Sequence, residues 1–170
     1  MQLPESFFLQ KARTAGLPPR FLYIRKSPLT TQLQSILGEA LKKHSPLCLT
    51  GACETGKSLT LAILARFICF RASDFNYINC LTFPDKLRDN IDQQAAWKRQ
   101  LSNVRHLFLD DVGGNYDKSG WWSAWLLDIL DQRYQKQLPT SSSTNNPASI
   151  EPRIWRRLTE FALCKELKAK

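Results

Sequence analysis

The sequence predicts an α/β fold whose parallel sheet is covered by helices on both faces. Short apolar runs at 46–50, 76–80 and 106–109 alternate with longer helix-patterned stretches. A glycine-bounded loop, Gly51-Ala-Cys-Glu-Thr-Gly-Lys-Ser58, joins the first apolar run to a helical one. The run at 106–109 ends in two carboxylates, Asp110 and Asp111. Right-handed crossovers in a parallel sheet bring the loops that follow its strands to one edge, so the glycine loop and the carboxylates are expected side by side.

Along the chain, residues 1–28 hold Pro4, Pro18, Pro19 and Pro28 among scattered Lys and Arg, a composition that predicts a basic extended arm anchored by Phe21, Leu22 and Ile24. The rest, 29–170, reads as one domain. Leu33, Ile36, Leu37, Ala40 and Leu41 recur at helical spacing over 30–43, and Pro46 stops that helix before a strand at 46–50. Leu59 to Phe70 is apolar enough for a helix packed on a sheet, and 76–80 suits a second strand. From 82 to 101 a single polar-faced helix is expected, with Thr82 as its cap and Pro84 in its first turn. Trp122, Trp125, Leu126, Ile129 and Leu130 form one stripe of a helix over 121–134. That stripe favours core packing over base stacking for Trp122 and Trp125, and leaves Trp121 open. Pro139 to Pro147 is rich in Ser, Thr and Asn and has the composition of a loop.

With 170 residues and 43% hydrophobic content, the chain can bury one good core. A net charge of +9 points to polyanionic partners, nucleic acid first. The five cysteines form no C-x-x-C pair; buried free thiols in a reducing cytoplasm are expected. No long apolar segment suggests export or membrane insertion, and no internal repeat is evident.

The loop at 51–58 has the G-x-x-x-x-G-K-[ST] pattern that cradles the phosphates of a nucleoside triphosphate. Gly51, Ala52, Cys53, Glu54, Thr55 and Gly56 supply a nest of backbone N–H groups, and Lys57, Ser58 and Leu59 open a helix whose positive end faces the phosphates. Lys57 is placed to reach the β- and γ-phosphates, and Ser58 offers its hydroxyl to Mg²⁺. Hydrolysis also needs an acid near the metal and a group that polarises water. Asp110 is assigned to Mg²⁺, partly through water, and Asp111 to the attacking water. ATP and Mg²⁺ are the expected cofactors.

The run Leu107-Phe-Leu-Asp-Asp-Val-Gly113, then Asp131-Gln-Arg-Tyr134, Pro139-Thr140, Thr144-Asn145 and Arg153-Ile-Trp-Arg-Arg-Leu158 resembles the AAA+ ATPase domain of bacterial helicase loaders of the DnaC type. It is similarly close to IstB-like transposition helpers, and the matching elements cover 46–158 in order. The resemblance implies a five-stranded sheet of order 5-1-4-3-2 within 29–170; the short stretch after Arg157 departs from the family pattern, so a reduced or missing C-terminal lid is expected. It implies that Asn145 is a polar sensor of the γ-phosphate or attacking water on a fourth strand. By the same match, Arg157 is an arginine finger toward a neighbouring subunit and Arg133 lies near the subunit boundary. The implied function is a weakly hydrolysing ATPase that assists DNA replication, loading a replicative helicase onto single-stranded DNA, with a possible homo-oligomer as its working form. An IstB-like transposition helper shares every motif; a P-loop small-molecule kinase and a non-hydrolysing nucleotide-binding adaptor are the alternatives of other classes.

The turn 113–120 leaves the carboxylates directly, making Tyr116 and Lys118 the DNA-contact candidates, with Arg13, Arg20, Arg25 and Lys26 available for backbone phosphates.

Overall fold

The computed structural model describes residues 5–23, 30–71, 73–114 and 119–168. Its elements are α1 (Glu5–Thr14), α2 (Pro19–Leu22), α3 (Thr31–Lys43), β1 (Leu47–Gly51), α4 (Lys57–Phe70), β2 (Phe75–Asn79), α5 (Phe83–Asp89), α6 (Gln94–Asn103), β3 (His106–Asp110), α7 (Trp121–Gln135), β4 (Thr140–Thr144), α8 (Pro152–Thr159) and β5 (Leu163–Leu167). The five strands are all parallel in the order β2-β3-β4-β1-β5, the order implied by the resemblance.

Alternation along the strands feeds two cores. Leu47, Leu49, Tyr77 and Phe108 face α1 to α4, whereas Ile78, Leu107 and Leu109 face α5 to α8. On the second face, Trp122 and Trp125 are buried and stack at 5.5 Å, so the core assignment of that stripe holds. Trp121 is partly buried beneath the Arg88 guanidinium, 5.4 Å from its ring centroid.

Three expectations are corrected. The N-terminal segment is helical in 5–14 and 19–22 rather than extended. Phe8, Ala12 and Ala15 are spaced for one helical face and are buried against α4, and Phe8 stacks on Phe70 at 4.2 Å. Pro19 opens α2, where a missing N–H costs nothing. Ala15 O accepts a hydrogen bond from Tyr77 N, so this segment also covers the outer edge of β2.

The single helix expected over 82–101 is two. Asn90, at φ −134° and ψ 61°, leaves helical space and donates its side-chain amide to Lys86 O at 2.9 Å, ending α5 before a 3₁₀ turn at 91–93. Thr82 makes no cap; Asn79 Oδ1 accepts from the N–H groups of Leu81 and Thr82 at 2.9 and 3.3 Å.

The serine-rich segment is not a loop but the central strand β4, buried along its whole length. Its hydroxyls replace apolar cover with hydrogen bonds: Ser141 Oγ accepts from Leu47 N at 3.1 Å, and Ser143 Oγ accepts from Asp111 N at 3.0 Å. Ser142 Oγ has no hydrogen-bond partner within the usual limits, although it lies close enough to the Cys48 thiol to oppose the rise in its pKa.

Of the cysteines, Cys48, Cys69 and Cys80 are buried free thiols as expected, whereas Cys53 and Cys164 are exposed. No described helix is long and apolar enough to cross a membrane.

Candidate nucleotide site

β1 ends at Gly51, with φ 133°, and the loop turns through Glu54 at φ 63° and Gly56 at φ 89° before α4 begins. Positive φ at these points aims successive N–H groups into one concavity, an anion nest capped by the N-terminal end of a 14-residue helix. At Gly51 contact demands glycine as well, whereas at Gly56 the demand comes from φ and the near neighbour is only the tip of a movable side chain. A Cβ on Gly51 would run into the Leu167 carbonyl oxygen, and one on Gly56 would come 2.9 Å from Leu33 Cδ1.

Lys57, only 4% exposed, folds back over the loop. Its ammonium donates to Gly51 O at 2.9 Å, to Ala52 O, and to Thr55 Oγ1 at 3.3 Å. Burial lowers its pKa, and the nearby Cys53, Asp111 and Asp110 oppose that shift.

The carboxylates stand at the C-terminal end of β3, beside the loop. Ser58 Oγ donates to Asp110 Oδ1 at 2.9 Å, joining residues 52 positions apart. Asp110 is 1% exposed, and it also accepts from the Tyr77 hydroxyl at Oδ2, 2.8 Å, and from Ser143 Oγ at Oδ1. Asp111 adopts φ 58° and so leaves the strand direction. Its side chain is half-buried, and its pKa is raised by burial and then by Asp110, while Lys57, Arg20 and a hydrogen bond from Asn79 oppose the rise. The chemistry fits the expected cofactor: a buried, triply hydrogen-bonded carboxylate next to a serine hydroxyl suits a hard cation, and the nest with Lys57 suits phosphates.

Of the remaining predicted site residues, Thr144 pairs in register with Thr50, so Asn145 follows alongside the start of the loop, with an exposed side chain. Arg157 lies on α8 away from the loop. Its Nε binds Asp131 Oδ1 at 2.6 Å, and its guanidinium covers the Tyr134 ring at 4.1 Å. Arg133 is not at a surface boundary. It is 1% exposed and donates to Thr140 Oγ1, Leu101 O, Val104 O and Pro139 O at 2.7 to 2.9 Å. Tyr116 and Lys118 lie outside the described residues, as do Arg25 and Lys26.

Sequence reasoning missed Tyr77, Ser143 and Asn79 as partners of the carboxylates. The available signal was a row of hydroxyls in a segment flanked by buried strands. Two cavities, of about 720 and 370 Å³, open at the opposite ends of the strands, around Lys11 and Asp74 and around His44 and Tyr134. They are unconnected with this chemistry. A phosphate nest is a shallow cradle of backbone donors, so enclosed volume does not mark it.

A parallel β2-β3-β4-β1-β5 sheet, with the phosphate loop after its β1 strand and carboxylates after β3, defines the P-loop fold of the AAA+ class. In fold the chain is similar to the replication initiator DnaA bound to AMPPCP and single-stranded DNA (TM-score 0.71, 16% identity, 91% of this chain and 52% of that one). It is likewise similar to DnaI (0.69, 21%, 89% and 95%) and to the DnaC helicase loader (0.69, 16%, 89% and 100%). The chain thus spans about half the length of the DnaA structure. No protein-family model and no curated protein sequence matches it.

Proposed function

We propose that the chain is an ATP-binding, slowly hydrolysing AAA+ protein that assists DNA replication by placing a replicative helicase on single-stranded DNA. The observation that carries the reading is the 2.9 Å hydrogen bond from Ser58 to Asp110, which brings the end of the glycine loop and the carboxylate pair to one point. A likeness that covers 89% of this chain and the whole of the chain in the DnaC helicase loader structure supports the choice of process.

In this reading the N–H groups of 51–59 hold the phosphates and Lys57 exchanges its loop carbonyls for phosphate oxygens. Ser58 and Asp110 hold Mg²⁺, which supplies charge neutralisation on the phosphates when bound. Asp111 orients the attacking water, with Asn145 beside it as the polar sensor. Arg157 acts in a neighbouring copy. Its engagement with Asp131 and Tyr134 within the chain is consistent with low turnover by a single copy, because the cation has to be released first. Contacts to the γ-phosphate favour one arrangement of the assembly, and hydrolysis releases it. Tyr116, Lys118 and the basic N-terminal residues remain the proposed DNA contacts.

The test has two parts. Titration calorimetry with ATP should show tight binding that Lys57→Ala abolishes; unchanged affinity in that variant refutes the assigned loop. Loading of a hexameric replicative helicase onto circular single-stranded DNA should depend on the chain and on ATP, and loading that is indifferent to both refutes the assigned role.

A further inference from the structure

We propose that Tyr77 and Ser143 are positioning residues that lock the Asp110 carboxylate toward Ser58 and so set the affinity for the divalent cation. The inference rests on the nucleotide-binding reading above. A carboxylate can rotate about its Cβ–Cγ bond, and a rotated Asp110 would turn its oxygens away from the loop. Here each oxygen is held from a different strand. Tyr77, on β2, donates to Oδ2 at 2.8 Å, and Ser143, on β4, donates to Oδ1, the same oxygen that accepts from Ser58.

Neither anchor can wander. Tyr77 is 2% exposed, its ring stacks on Phe108 with centroids 6.1 Å apart, and its own N–H is tied to Ala15 O. Gly16 lies so close that a Cβ there would strike Tyr77 O. Ser143 is fully buried, and its oxygen also accepts from Asp111 N at 3.0 Å, so one hydroxyl fixes both carboxylate-bearing residues. Partners of this kind, behind a ligating carboxylate, commonly govern metal affinity by about 10–100-fold.

The test uses Mn²⁺ as the probe, with AMPPCP as the nucleotide, and reads free Mn²⁺ by electron paramagnetic resonance. Tyr77→Phe keeps the stacked ring and removes only the hydroxyl; Ser143→Ala is the independent second variant. Each should weaken Mn²⁺ retention by about 10-fold or more while leaving AMPPCP affinity in EDTA unchanged. In an Asp110→Asn background neither should weaken Mn²⁺ further, because the group they hold is gone. Unchanged Mn²⁺ retention in both variants overturns the proposal. So does an equal loss of metal-free nucleotide binding, which marks the side chains as folding elements only. If the parent chain itself fails to bind AMPPCP in EDTA, the nucleotide-binding reading falls instead, and the two failures are distinguished.

Discussion

Replacing Arg133 by Met should remove a large part of the chain's stability without touching the phosphate loop. Burial lowers the guanidinium to about 10, which leaves it a cation at neutral pH. Its five donors have fixed directions, and four acceptors use them: Thr140 Oγ1, Leu101 O, Val104 O and Pro139 O. Pro139 O keeps a second donor in Leu107 N at 3.2 Å. Leu101 O and Val104 O lose the charged donor outright. At about 1–3 kcal/mol for each of the two groups left unsatisfied, plus about 1 kcal/mol for the bond to Thr140, the cost is about 3–7 kcal/mol. A domain of this size has roughly 5–15 kcal/mol in total, and each kcal/mol moves its midpoint by about 2–4 °C. Urea denaturation should therefore show a lower midpoint at unchanged slope, and thermal melting a drop on the order of 10–20 °C. Arg133→Lys should recover less than half, because one ammonium cannot reach acceptors spread over the end of α6, the residue after it and the start of β4. A loss below about 1 kcal/mol in the Met variant refutes this assignment of Arg133 as the clamp between those elements.

His106 makes stability depend on pH. Burial, then Arg105 and Arg133, lowers its pKa from 6.5 to about 4. The folded chain keeps the ring neutral where the unfolded chain takes up a proton, so stability is lost as pH falls from 6.5 toward 4, by about 1–2 kcal/mol once solvent screening of the half-buried ring is allowed for. His106→Gln should flatten that part of a plot of unfolding free energy against pH, and an unchanged slope refutes the assignment. Arg157→Ala should lower the melting temperature only slightly, since Arg157 and Asp131 are each only partly buried, yet lower ATP turnover by about 10³-fold. Equal turnover in a steady-state ATPase assay removes Arg157 from the reaction.

What was legible in the sequence was local or periodic. The phosphate loop is a contiguous string whose glycines carry their own backbone requirement, and β1 and β3 announce themselves as apolar runs. The stripe from Trp122 to Leu130 fixed its helix in the same way. β4 was hidden because its cover is made by partners far along the chain: Leu47 N, Asp110 and Asp111 N satisfy serines that look like loop chemistry in isolation. Arg133 was misplaced for a similar reason. A charge at a helix end reads as surface unless the carbonyls that surround it are known. The break at Asn90 shows the reverse, a local side-chain hydrogen bond overriding a good helical pattern.

The edge strand β5 leans on the phosphate loop through the missing side chain of Gly51, whose Cα faces the Leu167 carbonyl with no space for even a methyl group. Gly51 and Leu167 also pair in register, so the backbone position of β5 and that of the first residue of the glycine loop are set together.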